Sequence, residues 1–301
     1  MDRPEIALLG VPIDCVGRPG GTELAPMALR KAGVRERLSA RDVGDVKVAI
    51  RGSQRDPTSG VLALPSVVAT IGAVRNAVEG LLRDGRWPLL LAGDCTATIG
   101  ACAALRDRLG GTGLVYLDGH IDLYDGRTSP TGESADFPLA VVCGRGPAEL
   151  RAAAGGADPI VDPARVALLG PRDRDQAESH DSLMPEDLDR DLLFLDAEAV
   201  REMGPAAAGT RGTKHAAAST AGFWLHLDLD VLGEDEFPAT DYLMPGGLSW
   251  DELSEMLEPL VRSPDCRGMT VACFNPEKDE DGRDATRIAD VLGTALIERG
   301  G

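Results

Sequence analysis

Residues 113–122 read GLVYLDGHID, an apolar run that ends in three metal-ligating side chains. The first half, 113–117, has the uninterrupted apolar pattern of a buried strand. Asp118, His120 and Asp122 follow at alternate positions, so an extended backbone sends all three side chains to one side. Three convergent ligand types at the end of a buried strand are costly for folding unless they bind something. The stretch therefore predicts one half of a metal site.

A second stretch, residues 223–230, repeats half of this pattern as FWLHLDLD. Its Asp228 and Asp230 again follow an apolar strand, which predicts one polynuclear site shared by the two strand ends. Four carboxylates and one imidazole suit hard or borderline cations such as Mn²⁺, and two such ions can share and activate a water, as hydrolases do. The joint pattern favours this reading over solvated acids that cap loops. His226 lies on the same strand face as Asp228 and is either a partner that orients a carboxylate or a packed, hydrogen-bonded histidine.

Strands and helices alternate along the chain, and the strands are apolar without alternation. This pattern is typical of a parallel sheet covered by helices on both faces. We predict a single α/β domain over 1–301 with three layers, α-β-α, around a mostly parallel central sheet. Residues 205–220 are rich in Ala, Gly and Thr, and a flexible insert is favoured there over a frayed helix. Strands are predicted at 6–11, 46–50, 88–92, 113–117, 166–170, 192–195, 223–227 and 269–274. Helices are predicted at 25–34, 65–83, 96–105, 197–203, 250–260 and 284–299.

Charge and cysteine usage narrow the class of partner. The 301 residues carry a net charge of −18, which excludes a basic nucleic-acid-binding face and fits either a cationic small-molecule substrate or a solvated acidic surface. The six cysteines are scattered without a CxxC pair, as expected of free thiols in a reducing compartment. No apolar run approaches the roughly 18 residues of a membrane helix, and no signal peptide is visible. We therefore expect a cytoplasmic protein with no membrane partner.

Five short motifs follow one another along nearly the whole chain: LGVPID at 9–14, AGDCT at 92–96, DGHID at 118–122, HLDLD at 226–230 and FNP at 274–276. In this order they resemble the ureohydrolase family of arginases and agmatinases. The resemblance implies an arginase-like α/β fold, two Mn²⁺ per chain and a homo-oligomer, either a trimer or a hexamer.

The resemblance also implies a ligand set. Five family ligands are present, and the sixth, a histidine, is replaced by Cys95. Cys95 is either a thiolate ligand, softer than Mn²⁺ prefers and so holding one ion weakly, or an inert buried thiol. The implied metal ligands are Cys95, Asp118, His120, Asp122, Asp228 and Asp230, with Asp122 also counted among the catalytic residues.

A cysteine at this position and Gly119 within DGHID resemble the branch of the family that hydrolyses N-omega-hydroxyarginine to hydroxyurea and ornithine. Other positions depart from arginase. Ala135 stands where arginase has a histidine proton shuttle, so Asp136 or Glu133 is expected to carry the proton, although neither has an ordinary pKa near neutrality. Cys273 stands where the family binds the guanidinium through a glutamate.

The remaining substrate contacts are expected on the loops that follow the strands. Tyr124 replaces an asparagine that reads the substrate carboxylate in arginase. Asp175 and Glu178 match positions that hold the substrate amino group, unless they form a solvated acidic loop. Arg127 is expected to bind a substrate carboxylate, unless it is a solvated loop arginine.

The function implied is a manganese-dependent hydrolysis of a linear C–N bond in a guanidino or N-hydroxyguanidino compound derived from arginine. A metal-bridged hydroxide would attack the guanidino carbon and release urea or hydroxyurea and an amine. Two alternatives stay open: a catalytically weak or inactive scaffold or regulatory protein, and an amidohydrolase acting on a formimino or amide substrate.

Overall fold

The strands that the structure describes join one sheet. The computed structural model describes residues 4–17, 21–48, 50–156 and 159–297. Within these ranges the sheet has eight strands, and every pairing is parallel. The strands are β1 (Ile6–Val11), β2 (Arg41–Asp45), β3 (Trp87–Ala92), β4 (Gly113–Leu117), β5 (Val166–Leu169), β6 (Leu193–Leu195), β7 (Phe223–Asp228) and β8 (Cys266–Ala272). The prediction of a parallel α/β sheet is confirmed.

Helices cover both faces of this sheet and create two apolar cores. The described helices are α1 (Ala25–Lys31), α2 (Val34–Arg37), α3 (Leu64–Arg83), α4 (Ala97–Leu109), α5 (Pro138–Val142), α6 (Ala148–Ala153), α7 (Arg174–Ser179), α8 (Ala197–Met203), α9 (Pro205–Ala217), α10 (Trp250–Arg262) and α11 (Arg283–Ile297). In one core, α1, α2 and α8–α11 pack against one face of the sheet, and in the other core α3–α7 pack against the opposite face. Within the described ranges, no helix combines the length and the apolarity that crossing a bilayer requires.

The strand order brings the polar strand ends together. The order is β2-β1-β3-β8-β7-β4-β5-β6, so the chain crosses from β3 past two later strands to reach β4. In open parallel sheets, ligands bind beyond the carboxyl ends of the strands where the order reverses. Four adjacent central strands, β3, β8, β7 and β4, carry these residues: Asp228 is the last residue of β7, and Cys95, Asp118 and Cys273 follow the carboxyl ends of β3, β4 and β8. The topology therefore collects these side chains at one edge of the sheet.

The prediction of a flexible insert at 205–220 is wrong, because Pro205–Ala217 forms helix α9. Its small residues allow close packing rather than disorder. A Cβ at Gly209 would lie 2.3 Å from the carbonyl oxygen of Met256 in α10, and one at Gly212 would lie 3.0 Å from the Leu169 side chain in β5. The low apolar content therefore reflects contact between a helix backbone and its neighbours.

The prediction of an edge strand at 46–50 is also wrong. The edge strand is β2, Arg41–Asp45, and residue 49 lies outside the described residues. This strand is mostly exposed and polar, so apolar content selected the wrong segment. Arg30 on α1 anchors it by ion pairs of 2.8 Å to Asp42 and 2.6 Å to Asp45.

Smaller differences concern the ends of elements. The predicted helix 25–34 is interrupted, because Gly33 has a φ of 88° and separates α1 from α2. The predicted acidic loop through Glu178 contains the short helix α7. The helix predicted at 284–299 is described as Arg283–Ile297, and residues 298 and 299 lie outside the described residues.

Candidate metal centre

The end of β4 and the end of β7 are tied together by hydrogen bonds. Asp118 accepts a backbone hydrogen bond of 2.7 Å from His120, and Asp228 accepts one of 2.7 Å from Asp230. Asp230 in turn accepts the backbone N–H of Gly119 at 3.0 Å, which joins the two strand ends directly. These contacts fix the carboxylates because each side chain is bound to a backbone group of a neighbouring turn.

One group of candidate ligands lies on the side of His120. Its Nδ1 is 3.0 Å from Oδ2 of Asp230 and 3.6 Å from Oδ1 of Asp118. Donor atoms of these three residues all lie within 4.8 Å of one another. Two carboxylates and an imidazole form a donor set that suits Mn²⁺.

A second group lies on the side of Cys95 and shares Asp118 with the first. Cys95 is 3% exposed, and its thiol donates a hydrogen bond of 2.7 Å to Oδ2 of Asp228. Donor atoms of Cys95, Asp118, His226 and Asp228 also lie within 4.8 Å of one another. Two adjacent groups that share a carboxylate have the arrangement that a pair of ions requires.

Two buried atoms at this centre support the fit to a cation. Among the described residues, Oδ2 of Asp118 and Nε2 of His226 have no hydrogen-bond partner. Leaving such atoms unpaired in a dry interior costs about 1–3 kcal/mol each. A divalent ion in the Cys95 group would contact both atoms and remove that cost.

The charges of the centre are strongly coupled. Burial, followed by the neighbouring carboxylates, raises the pKa of Asp122 and Asp228 well above the ordinary value. Burial opposes charge on His120 and Asp230 too, but their mutual attraction prevails and raises the pKa of His120 while lowering that of Asp230. The centre therefore retains protons that a bound cation would displace, so metal binding is expected to release protons.

Asp122 occupies a different position from the other predicted ligands. Its Oδ2 accepts a hydrogen bond of 2.6 Å from the hydroxyl of Tyr116, and it belongs to neither ligand group. Its φ is 52°, in the left-handed region that aspartate tolerates better than most residues. Asp122 lines the same cleft as the other acids, so it faces the space in which ions and substrate would bind.

The predicted proton carriers lie on the wall of this cleft. Glu133 is 8% exposed, its Oε2 accepts a hydrogen bond of 2.7 Å from Tyr242, and burial raises its pKa to about 7. Asp136 accepts hydrogen bonds from Ser129 and Thr131, and burial raises its pKa as well. Glu133 can therefore exchange a proton at neutral pH.

The predicted substrate contacts divide into two sets. Tyr124 and Cys273 line the cleft. The other three predicted contacts lie outside the described lining of the cleft. Asp175 is exposed, and Glu178 forms an ion pair of 3.1 Å with Arg174. The side chain of Arg127 is 92% exposed.

Sequence reasoning did not assign His226 as a candidate ligand and did not single out Asp173, which interacts electrostatically with His120 but does not belong to the described lining of the cleft. His226 joins the Cys95 group, and its position two residues before Asp228 on one strand face was the available signal. Asp173 is 3% exposed, neither of its carboxylate oxygens has a partner within the described part of the chain, and burial raises its pKa to about 6. No sequence pattern distinguished Asp173 from the other acids of its loop, since its burial depends on the fold.

The charged side chains that line the cleft are mainly carboxylates. The described lining contains no lysine or arginine. Such a lining favours a cationic or weakly basic substrate group and disfavours an anionic one. The acidic lining residues are Asp14, Asp94, Asp118, Asp122, Glu133, Asp136, Asp228, Asp230 and Asp241.

A parallel α/β sheet with two groups of candidate metal ligands at its carboxyl edge, both of which include Asp118, is typical of metal-dependent hydrolases. A family model described as the arginase family matches residues 4–297, and the chain belongs to this family. It is thus a metal-dependent ureohydrolase that acts on C–N bonds. The sequence-based resemblance is confirmed at the level of the family.

The similarity extends over whole chains. The arginase of Brevibacillus brevis is 30% identical over 303 residues, which cover 97% of each chain. The arginase of Bacillus caldovelox is 27% identical over 300 residues and 98% of each chain. The native crystal structure of that arginase superposes with a TM-score of 0.85 at 26% identity over 98% of each chain.

Proposed function

We propose that the chain is a manganese-dependent hydrolase of a guanidino or N-hydroxyguanidino compound derived from arginine, and that it releases urea or hydroxyurea and an amine. One observation carries this proposal: two ligand groups that share Asp118 lie at a cleft whose described lining contains no lysine or arginine. The ligands proposed are Cys95, Asp118, His120, Asp122, Asp228 and Asp230, with Mn²⁺ held more weakly on the side of Cys95 because a thiol is softer than Mn²⁺ prefers.

The chemistry divides between the ions and the cleft wall. Two Mn²⁺ ions, when bound, supply Lewis-acid activation of water at neutral pH. Glu133 accepts a proton from the reacting water and delivers it to the leaving amine, because burial brings its pKa to about 7. Tyr242 holds the Glu133 carboxylate by its hydroxyl, and Asp136 is fixed by two hydroxyl donors and has less freedom to move.

An N-hydroxyguanidine suits the cleft better than arginine. Cys273 offers no charged partner to a guanidinium, and its Sγ lies 3.5 Å from that of Cys95. A hydroxyguanidine is less basic than a guanidine and depends less on such an ion pair. Tyr242, 46% exposed beside Glu133, can donate or accept a hydrogen bond at the cleft.

Substrate contacts outside the cleft floor are part of the same proposal. Tyr124 contacts the amino-acid part of the substrate from the cleft wall. Asp175, Glu178 and Arg127 lie farther out, so we propose that they contact a substrate only if its amino-acid end extends beyond the cleft mouth.

A panel of guanidino compounds tests the function directly. Reduced enzyme reconstituted with Mn²⁺ is incubated with arginine, agmatine, N-hydroxyarginine and a formimino amino acid, and each product is identified by mass spectrometry. We expect hydroxyurea from N-hydroxyarginine at the highest kcat/KM. Ammonia or formamide from the formimino compound alone would favour the amidohydrolase alternative, and no turnover of any compound would contradict the proposal.

We also propose that the enzyme is a cytoplasmic homo-oligomer, a trimer or a hexamer, in line with the family resemblance. Light scattering coupled to gel filtration measures the mass of the assembly against the 31.6 kDa chain. A monomer at micromolar concentration would contradict this assignment.

A further inference from the structure

His226 is placed as a metal-binding histidine would be. It lies on β7, is fully buried, and its ring packs against Tyr116 with centroids 4.3 Å apart. Its Nδ1 lies 2.7 Å from the hydroxyl of Thr98 on α4. Histidine ligands commonly donate their second ring nitrogen to such a partner, which fixes the tautomer and leaves the other nitrogen free to bind metal.

The other nitrogen of His226 faces the centre. Nε2 lies 3.7 Å from Oδ2 of Asp118, and neither atom has a hydrogen-bond partner within the described ranges. A histidine kept only for packing would be expected to satisfy both nitrogens when fully buried. Here one nitrogen is held by Thr98, and the second points at an unpaired carboxylate oxygen.

Four donor atoms converge at this point from three separate segments: the loop before α4, the end of β4, and β7. They are Sγ of Cys95, Nε2 of His226 and one oxygen each of Asp118 and Asp228. Zinc bonds of about 2.0–2.3 Å place tetrahedral donors roughly 3.3–3.8 Å apart. The 3.7 Å between His226 and Asp118 falls in this range, whereas the 2.7 Å between Cys95 and Asp228 is a thiol hydrogen bond that opens when an ion replaces its proton.

The two ligand groups differ in softness. The group of His120 with Asp118 and Asp230 has one nitrogen and otherwise oxygen donors, which Mn²⁺ accepts. The group of Cys95 and His226 adds a thiolate and an imidazole to two carboxylates, a set typical of Zn²⁺. We propose that His226 is a metal ligand and that Cys95, His226, Asp118 and Asp228 form a zinc position beside a manganese position.

This inference rests on the proposed binuclear centre and assigns Zn²⁺ instead of Mn²⁺ to one of its two positions. A cysteine alone would weaken one Mn²⁺ position. Cys95 replaces the histidine that the family resemblance implies at this metal position. His226 on β7 provides an imidazole instead, so the position has one histidine ligand and also a sulfur ligand. The enzyme is then a mixed Zn²⁺/Mn²⁺ hydrolase, with the zinc beside Cys273.

The test measures metal identity without using activity. Reduced full-length chain is stripped with a chelator, equilibrated with equimolar Mn²⁺ and Zn²⁺, and its metals are quantified by mass spectrometry. We expect equal amounts of the two metals. In crystals of this protein, anomalous scattering at the zinc edge is expected to place Zn²⁺ about 2.0–2.1 Å from Nε2 of His226.

The variant His226→Gln isolates the ligand, and His215→Gln on α9 is the matched control away from the centre. We expect His226→Gln to weaken Zn²⁺ binding by more than the roughly 10–100-fold typical of losing a residue that only orients a ligand. Mn²⁺ binding at the other position is expected to persist, and His215→Gln is expected to bind both metals normally. Zinc affinity retained in folded His226→Gln would overturn the assignment.

The crystal measurement decides the matter even if His226→Gln does not fold. Zinc beyond bonding distance of His226, or manganese in both positions, would overturn the proposal. A chain that binds two Mn²⁺, takes no Zn²⁺ and hydrolyses a guanidino compound would refute the zinc position alone. Zinc at His226 without hydrolysis of any guanidino compound would instead refute the proposed function.

Discussion

Three side chains of the centre and its cleft are each hydrogen-bonded to one hydroxyl group. Glu133 has Tyr242, His226 has Thr98, and Asp122 has Tyr116. The spacing of the aspartates along two strands was readable from the sequence, because a strand alternates its side chains regularly. The hydrogen-bond partners could not be predicted from the sequence, because they are distant along the chain. Tyr242 lies 109 residues from Glu133, and Thr98 lies 128 residues from His226. The pKa of Glu133 depends on this tertiary burial.

Replacing Glu133 with glutamine tests the proton carrier. In the wild type, kcat/KM is expected to rise as pH increases through about 7, because Glu133 must lose its proton to act as a base. Glu133→Gln is expected to abolish this limb of the pH profile and to lower kcat by about 10²–10⁴.

Two variants give this experiment its controls. Asp136→Asn is expected to keep the limb near pH 7, since Asp136 is not the carrier. Tyr242→Phe removes a hydrogen bond that lowers the pKa of Glu133, so the limb is expected to move to higher pH. A limb that persists in Glu133→Gln and disappears in Asp136→Asn would assign the role to Asp136 instead.

Replacing Cys95 with histidine tests the second metal position. A second imidazole in place of the thiol makes the donor set harder, so Cys95→His is expected to bind Mn²⁺ more tightly there and to hydrolyse arginine faster. Calorimetric titration with Mn²⁺ and a urea assay measure both effects. Unchanged affinity, stoichiometry and rate would show that residue 95 does not contact the ion.

At the scale of elements, the packing of α3 on α4 positions the loop that carries Cys95. Gly100 in α4 contacts the backbone of α3, since a Cβ there would lie 2.6 Å from the carbonyl oxygen of Ile71. The helix predicted at 65–83 corresponds to α3. The close approach at Gly100 and the packing of α9 were not evident from the sequence, because small residues mark flexible segments and tight helix contacts alike.

The substitution Gly100→Ala is expected to force α3 and α4 apart and to cost about 1–3 kcal/mol of unfolding free energy. The matched control is Gly72→Ala in α3, where an added Cβ meets nothing within 4 Å and helix propensity favours alanine by about 0.5–1 kcal/mol. Urea denaturation of both variants measures the difference. Equal stability changes in the two variants would contradict this packing.

For the whole molecule, one sheet joins the two halves of the site. Strand β8, near the end of the chain, lies between β3 and β7, so distant segments form adjacent walls of the cleft. Alternation of strands and helices predicted this class of fold, but strand order was not readable from periodicity. The prediction of a single domain over 1–301 can be checked by limited proteolysis, which is expected to yield no stable half-chain.

The stability of the metal-free chain is expected to fall as pH rises. Burial raises the pKa of Asp14 and Asp173 to about 6 and that of Glu133 to about 7, and it also raises the pKa of Asp122 and Asp228. The folded chain therefore binds more protons than the unfolded chain above about pH 4, and unfolding free energy declines through pH 7. Each aspartate with a pKa of about 6 accounts for roughly 2–3 kcal/mol of this decline.

Thermal melts between about pH 5 and about pH 8, measured with and without metal, test this pH dependence of stability. Saturating divalent metal is expected to raise the melting temperature most at the higher pH, because protons compete with metal for the same ligands. A metal-free chain that becomes more stable as pH rises over this interval would contradict the assignment of buried, protonated carboxylates.

The central claim is that the ends of β4 and β7 form one centre for two ions, and metal content measures it most directly. Asp118→Ala removes the carboxylate that the two ligand groups share, and Asp290→Ala on the exposed face of α11 is the control. After reconstitution, the wild type and Asp290→Ala are predicted to hold two divalent ions per chain and folded Asp118→Ala to hold none tightly. Two ions and full turnover in Asp118→Ala would contradict the account.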